Sequence, residues 1–240
     1  MDDIARFCQM VNESQNIVFF GGAGVSTESG IKDFRSVDGL YNEKYDYPPE
    51  EILSHSFFFD NTKEFYRFYR DKLLIDGVKP NVTHYTLAKL EEAGKLKGVI
   101  TQNIDDLHEQ AGSKNVYHLH GGIDKYHCLK CRKGFGLDYV KKTKGIPYCD
   151  CGGILKPDVV LYEETLDDRT VSESIKLISS ADVLIVGGTS LVVYPAAGLI
   201  NYYRGRKLIL INKQPTPYDN YADLVINKGL GEVFGALKLV

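Results

Sequence analysis

Residues 17–27 read Ile17-Val18-Phe19-Phe20-Gly21-Gly22-Ala23-Gly24-Val25-Ser26-Thr27, an apolar run that empties into glycines. A strand with apolar side chains on both faces predicts burial on both, as in a parallel sheet covered by helices. Glycines directly after such a strand let backbone N–H groups approach a phosphate at a helix start. The stretch departs from the dehydrogenase fingerprint, because Thr27 stands where its third glycine belongs. Gly30-Ile31-Lys32-Asp33-Phe34-Arg35 then follows, not a second strand ending in a ribose-binding acid. Hydride transfer is disfavoured, and a nucleotide cradle of another kind remains.

Similar short apolar runs recur at Val99-Ile100-Thr101, Val116-Tyr117-His118, Val159 to Tyr162, Val183 to Val186, Leu208 to Ile211 and Leu224 to Ile226. Helical patterns separate several of them, including Thr83 to Ala93, closed by Gly94. Strand alternating with helix predicts a doubly wound α/β fold, a Rossmann-like parallel sheet. Two stretches fall outside that alternation. Residues 43–77 carry an aromatic cluster with helical spacing from Phe58 to Leu74, read as an insert with its own core. Residues 124–154 hold four cysteines and too few apolar residues for a core of their own. The expected division is therefore a discontinuous large domain of residues 1–42, 78–123 and 155–240. The 43–77 helical insert and the 124–154 zinc-binding module together form a small domain.

The chain has 240 residues, 43% hydrophobic and 25% charged, with 29 basic against 32 acidic side chains for a net charge of −3. That balance excludes a strongly basic nucleic-acid binder and an acidic disordered chain. No apolar run reaches the roughly 18 residues of a membrane span. The Met1-Asp2-Asp3 start lacks a secretory pattern, so a cytoplasmic protein is expected.

Of five cysteines, Cys8 sits in a helical pattern with Ile4, Phe7 and Val11 and is expected to pack in a core. The other four form two close pairs, Cys128-x2-Cys131 and Cys149-x-Cys151, seventeen residues apart. Four soft sulfurs in two pairs suit one tetrahedral zinc ion. A closed thiolate shell leaves no open position for water, so the ion is expected to be structural. His127 is a minor competitor as ligand.

Ligands of doubly wound sheets bind beyond the carboxyl ends of strands. Those ends here carry Gln102-Asn103-Ile104-Asp105, His120, Thr189-Ser190 and Asn212. No nucleophile elbow is present, so acyl-enzyme ester hydrolysis is unsupported. His120 is the best general base, because imidazole titrates near neutral pH. A structural histidine at 120 and a helix-capping role for Asp105 are the alternatives.

Taken together, the segments 22–36 (Gly-Ala-Gly-Val-Ser-Thr-Glu-Ser-Gly-Ile-Lys-Asp-Phe-Arg-Ser), 101–112, Leu119-His120-Gly121, the four cysteines and Gly188-Thr189-Ser190-Leu191 resemble the sirtuin family. These are NAD-dependent protein lysine deacylases. The resemblance runs in order over nearly the whole chain and looks like the compact bacterial form. It implies NAD and one structural zinc, held by Cys128, Cys131, Cys149 and Cys151. It implies cofactor contacts at Ala23, Thr27, Phe34, Arg35, Gln102, Asn103, Ile104, Asp105, His120, Thr189, Ser190 and Asn212. His120, Asn103 and Asp105 become the expected catalytic residues.

The implied reaction moves the acetyl group from lysine to ADP-ribose. Nicotinamide leaves, the acyl oxygen attacks the ribose anomeric carbon, and His120 takes a proton from a ribose hydroxyl. The implied partners are acetylated lysine peptides, with nicotinamide as product and inhibitor, and neither nucleic acid nor membrane. The peptide would add as a strand between Val159–Tyr162 and the segment after Leu191. Two positions depart from the family pattern: Lys32 stands for a proline, and Glu163 in Tyr162-Glu163-Glu164 stands for a glycine. The tyrosine-and-arginine pair of desuccinylating members is not evident after Arg35, which favours neutral acyl groups. ADP-ribosyl transfer to protein and a non-enzymatic NAD-binding module are the competing functions.

Overall fold

A computed structural model describes residues 2–33, 39 and 45–238. The expected cofactor contacts Phe34 and Arg35 lie outside the described residues.

Strand β1 (Ile17–Gly21) is the axis of the large sheet. On one side it pairs in parallel with β2 (Leu96–Thr101), which pairs with β3 (Val116–His118). On the other side lie β7 (Val183–Gly187), β8 (Leu208–Ile211) and β9 (Leu224–Ile226), also parallel. The order β3-β2-β1-β7-β8-β9 reverses direction between β1 and β7. The alternation of side chains along a strand sends Ile17 and Phe19 to one face and Val18 and Phe20 to the other. All four are fully buried. Phe19 packs with Phe7 and Val11 of α1 (Asp3–Asn12), Leu87 and Leu90 of α5 (Val82–Glu92), and Phe234 of α9 (Leu230–Gly235). Phe20 packs with Ile178 of α8 (Asp168–Ser180) and with Ala196 and Ile200 of a following 3-10 segment. Both faces are covered, as the unbroken apolar runs required. Cys8 is half-buried and packs at the edge of the first of these cores.

Local chemistry sets the ends of α5. The Asn81 side chain accepts from Thr83 N at 2.9 Å, and Asn81 N donates to His84 Nδ1 at 3.2 Å. These bonds satisfy donors that a helix start leaves open. At the other end Gly94 takes φ +71°, a left-handed conformation that glycine adopts without strain.

The apolar run at Val159 belongs elsewhere than expected. Strand β6 (Leu155–Val159) joins β4 (Gly121–Cys128) and β5 (Gly134–Gly136) in a small antiparallel sheet, ordered β5-β4-β6. Its apolar side chains have a second core to enter. The 43–77 insert contributes α2 (Pro49–Ile52), α3 (His55–Asp60) and α4 (Thr62–Lys72). The helical spacing expected from Phe58 to Leu74 is realised in two helices separated at Asn61, whose φ of −133° is not helical. Phe58, Phe65, Tyr66 and Tyr69 pack against Tyr126, Leu155, Val159, Cys128 and Cys149. Tyr66 donates its hydroxyl to the Leu155 carbonyl. The aromatic cluster is therefore core, shared between the helical insert and the cysteine-bearing strands. Helix α7 (Leu137–Lys142) adds Val140 to it.

The insert is also stitched to the segment after β6. His55 N donates to the Tyr162 carbonyl at 2.9 Å, and Tyr162 N donates to the Leu53 carbonyl at 3.0 Å. Glu163 adopts φ +74°, the conformation its glycine counterpart would take freely. Its carboxylate accepts from Ser56 N at 2.9 Å and from Ser56 Oγ at 3.0 Å. The side chain thus supplies contacts that glycine cannot. Glu164 accepts from buried Lys156 Nζ at 3.0 Å and from Leu161 N at 2.9 Å. Among the described residues, no helix is long and apolar enough to cross a membrane.

Candidate active site

The reversal between β1 and β7 leaves their two following loops free to part, and a cleft of about 830 Å³ opens there. Two glycine turns build its floor. Gly24 N donates to the Gly188 carbonyl at 2.8 Å. Gly188 has φ +62°, and a Cβ on it would lie 2.5 Å from Val25 N. Only glycine lets these backbones meet. Ala23, Thr27, Thr189, Ser190 and Asn212 all line this cleft. Gln102 spans it from the end of β2, donating from Nε2 to Thr189 Oγ1 at 3.0 Å.

Beyond β2 the chain presents Asn103, Ile104 and Asp105 to the same space. Asn103 N donates to Thr101 Oγ1 at 3.0 Å, and Asn103 Nδ2 donates to Ser26 Oγ at 3.0 Å. Ser26 Oγ in turn donates to Asp105 Oδ2 at 2.9 Å. Leu107 N donates to Asp105 Oδ1 at 3.2 Å, so Asp105, just before the N-cap Asp106, satisfies the first backbone donor of the short helix α6 (Leu107–Gln110) while lining the cleft. Burial pushes the Asp105 carboxyl above its ordinary value, against the Ser26 and Leu107 hydrogen bonds that favour its charged form.

His120, just past β3, enters from the edge of the sheet. Its Nδ1 is 2.8 Å from the Gln102 carbonyl. A carbonyl only accepts, so Nδ1 carries the proton and Nε2 of the neutral ring is left basic. Burial lowers the pKa from 6.5, partly opposed by that hydrogen bond. The ring is thereby held neutral near pH 7. Val160 N donates to the His120 carbonyl at 2.9 Å, which joins the residue to the end of β6. Val160, Leu161, Tyr162, Val193 and Tyr194 line the cleft's outer part. Leu53, Leu73 and Ile75 approach from the insert.

The four cysteines converge apart from the cleft, and none of them lines it. Their sulfurs all lie within 4.8 Å of one another, with Cys128–Cys151 at 3.5 Å and Cys131–Cys149 at 3.6 Å. Four sulfurs each about 2.3 Å from a tetrahedral centre would stand about 3.8 Å apart. The donor set and spacing fit one zinc ion. Burial pushes the Cys128 thiol up, but hydrogen bonds from the Cys131 and Lys130 backbone and from the Cys151 and Cys131 thiols together bring it down to about 6. His127 is not a fifth member; its Nδ1 faces Asp158 Oδ1 at 2.5 Å.

Every expected cofactor residue among the described ones lies on the one cleft. Ser26 was not singled out, although it stands inside the glycine-rich run and bridges Asn103 to Asp105. His118 and Glu109 were also missed. The only signal for His118 was its position two residues before His120.

Comparison with known proteins agrees with this geometry. The Sir2 family pattern matches residues 22–195. An NAD-dependent protein deacetylase of Clostridium acetobutylicum is 61% identical over 237 residues, 97% of each chain. One of Clostridium perfringens is 57% identical over 240 residues, 98% of each chain. A Sir2 structure with a deacetylated p53 peptide and 3′-O-acetyl-ADP-ribose superposes with TM-score 0.89 at 40% identity, covering 97% of this chain and 96% of that one. A Sir2 structure bound to acetylated peptide gives TM-score 0.87 at 39% identity, covering 98% and 96%. This chain belongs to the Sir2 family.

Proposed function

We propose that this chain is an NAD-dependent protein lysine deacetylase acting in the cytoplasm. Acetyl-lysine, NAD and water become lysine, nicotinamide and O-acetyl-ADP-ribose. The observation that carries the reading is a neutral imidazole, His120, on the same cleft as Asn103, Asp105 and two interlocked glycine turns.

Bound NAD supplies an anomeric carbon that becomes electrophilic as nicotinamide departs. Thr189, Ser190 and Asn212 would hold its phosphates and adenosine, and Ala23, Thr27, Phe34 and Arg35 would add further contacts to it. Ile104 and Asp105 would hold the nicotinamide carboxamide. Gln102 and Asn103 would contact the ribose. His120 Nε2 would then take a proton from a ribose hydroxyl, which permits that oxygen to attack the activated amide carbon. Asp105 is buried and His120 partly so, and the lower local dielectric there strengthens each interaction they make.

The acetylated peptide would lie extended along Val160–Tyr162 and face Val193–Tyr194, its main chain supplying hydrogen bonds. Residues 43–77 and 124–154, extended by the ends of β4 and by β6 to residues 121–159, would form the small domain over the cleft, and the rest of the chain the large one. Zinc on Cys128, Cys131, Cys149 and Cys151 would hold that small domain together. Thiols that must stay reduced to hold a metal suit a reducing compartment, in keeping with the cytoplasmic assignment.

Mass spectrometry of an acetylated peptide incubated with protein and NAD tests the proposal. A peptide lighter by one acetyl, matched by nicotinamide and O-acetyl-ADP-ribose, is expected. A heavier, ADP-ribosylated protein or an unchanged mixture would overturn it.

A further inference from the structure

Two residues before His120, β3 ends in a second imidazole, His118. Each reaches back to a carbonyl of the β2 loop: His120 Nδ1 to Gln102 at 2.8 Å and His118 Nδ1 to Asn103 at 3.2 Å. Their other nitrogens differ. His118 Nε2 is 2.6 Å from Glu109 Oε1 on α6. A carbonyl and a carboxylate both accept, so both His118 nitrogens donate and the ring is a cation.

The surroundings of His118 favour that charge. Burial opposes it, but the Glu109 hydrogen bond and charge, the Asn103 carbonyl and the Asp105 charge together raise its pKa above 6.5. Asp106, Asp124 and Asp158 line the same cavity of about 380 Å³, with Lys125 as the opposing cation. His108, buried on α6, is kept neutral chiefly by burial, with the neighbouring His84 and His118 rings acting in the same direction. One strand end thus holds a neutral imidazole and a charged one, two residues apart.

We propose that His118 is a positioning residue: its imidazolium, braced by Glu109, grips the Asn103 carbonyl and so aims the Asn103 side chain and the Asp105 loop at the dinucleotide. This rests on the deacetylase reading above. Asn103 is then held at three points, through its N–H to Thr101, its side chain to Ser26 and its carbonyl to His118. When His118 loses a proton, the remaining one stays with the carboxylate at 2.6 Å. A bare Nδ1 then faces the carbonyl oxygen, and the grip becomes a repulsion. The grip is complete at low pH and lost as pH rises through the raised pKa.

The test measures kcat/KM for NAD and KM for the acetylated peptide from about pH 6 to about pH 10. His118→Asn places an uncharged donor near the Nδ1 position, whereas His118→Gln places one near Nε2. Wild type is expected to lose kcat/KM for NAD on the alkaline side, and Glu109→Gln to lose it at lower pH. His118→Asn should keep the neutral-pH value within about threefold and lack the alkaline loss. His118→Gln should fall roughly tenfold in the NAD parameter with peptide KM unchanged, the loss of about one hydrogen bond. Coincident profiles for wild type and Glu109→Gln, or equal values for the two His118 variants, would overturn the proposal. An NMR titration placing the His118 ring below 6.5 in the folded protein would overturn it independently of any variant. Wild-type protein without deacetylation at any pH would instead strike the deacetylase reading, leaving the NMR titration to decide His118.

Discussion

Ser26 shows how much one hydroxyl can organise. It accepts from Asn103 and donates to Asp105, and it is 1% exposed. The chain of donors runs one way, from amide through hydroxyl to carboxylate, and ends on a charge. Ser26→Ala removes both bonds and leaves a buried carboxylate short of a donor. We expect kcat/KM for NAD to fall roughly tenfold, since a hydrogen bond to a charged group contributes about 1.5–3 kcal/mol. Steady-state kinetics check this, and an unchanged value would remove Ser26 from the site. The residues that touch the cleft were legible because they cluster at strand ends. Ser26, which also lines the cleft, and His118 act by bonding other residues, and a sequence shows which residues are near a strand end but not which side chains bond to one another there.

At the scale of elements, helix α5 carries an acid-sensitive contact. Asn81 N donates to His84 Nδ1, which can accept only while unprotonated. His84 is fully buried, and that burial lowers its pKa from 6.5 to about 4. Because the folded value lies below the unfolded one, stability is complete above about pH 6.5 and falls as pH drops toward about 4. The loss from His84 is on the order of 3 kcal/mol, and buried His108 adds to it in the same direction. Urea midpoints across this window should decline steadily, and a flat profile would contradict the argument.

The cysteine strands make a second element-scale prediction. Cys128 and Cys149 share a core with Tyr66, Tyr69 and Leu155. Cys149→Ser should abolish a one-to-one zinc content by atomic absorption and speed amide exchange in α4, while β1 stays protected. Retained zinc, or loosening confined to the cysteine turns, would count against a shared core. Most strands and α5 were legible from apolar runs and caps. The placement of Val159 was not, because a short apolar strand reports burial without naming the core it enters. The break at Asn61 was also hidden, since apolar spacing continues across it.

For the molecule as a whole, function depends on two cores meeting across one cleft. The doubly wound sheet presents glycine turns and strand-end polar groups. The second core carries α4, β4 and β6, and is tied back through Tyr162, Glu163 and Glu164 to α3. Alternating strand and helix signals made the sheet legible, and cysteine spacing made the metal module legible. The union of residues 49–72 with the 121–159 sheet was harder to see, because it depends on packing between segments some fifty residues apart.

The central claim is that the neutral His120 ring serves as base for a ribose held in this cleft. Its most direct test is deacetylation of an acetylated peptide by His120→Tyr, measured beside wild type with folding verified by circular dichroism. A general base contributes about 10²–10⁴-fold, so the variant's kcat should fall by at least about a hundredfold. A folded variant that retained the wild-type rate would contradict the account.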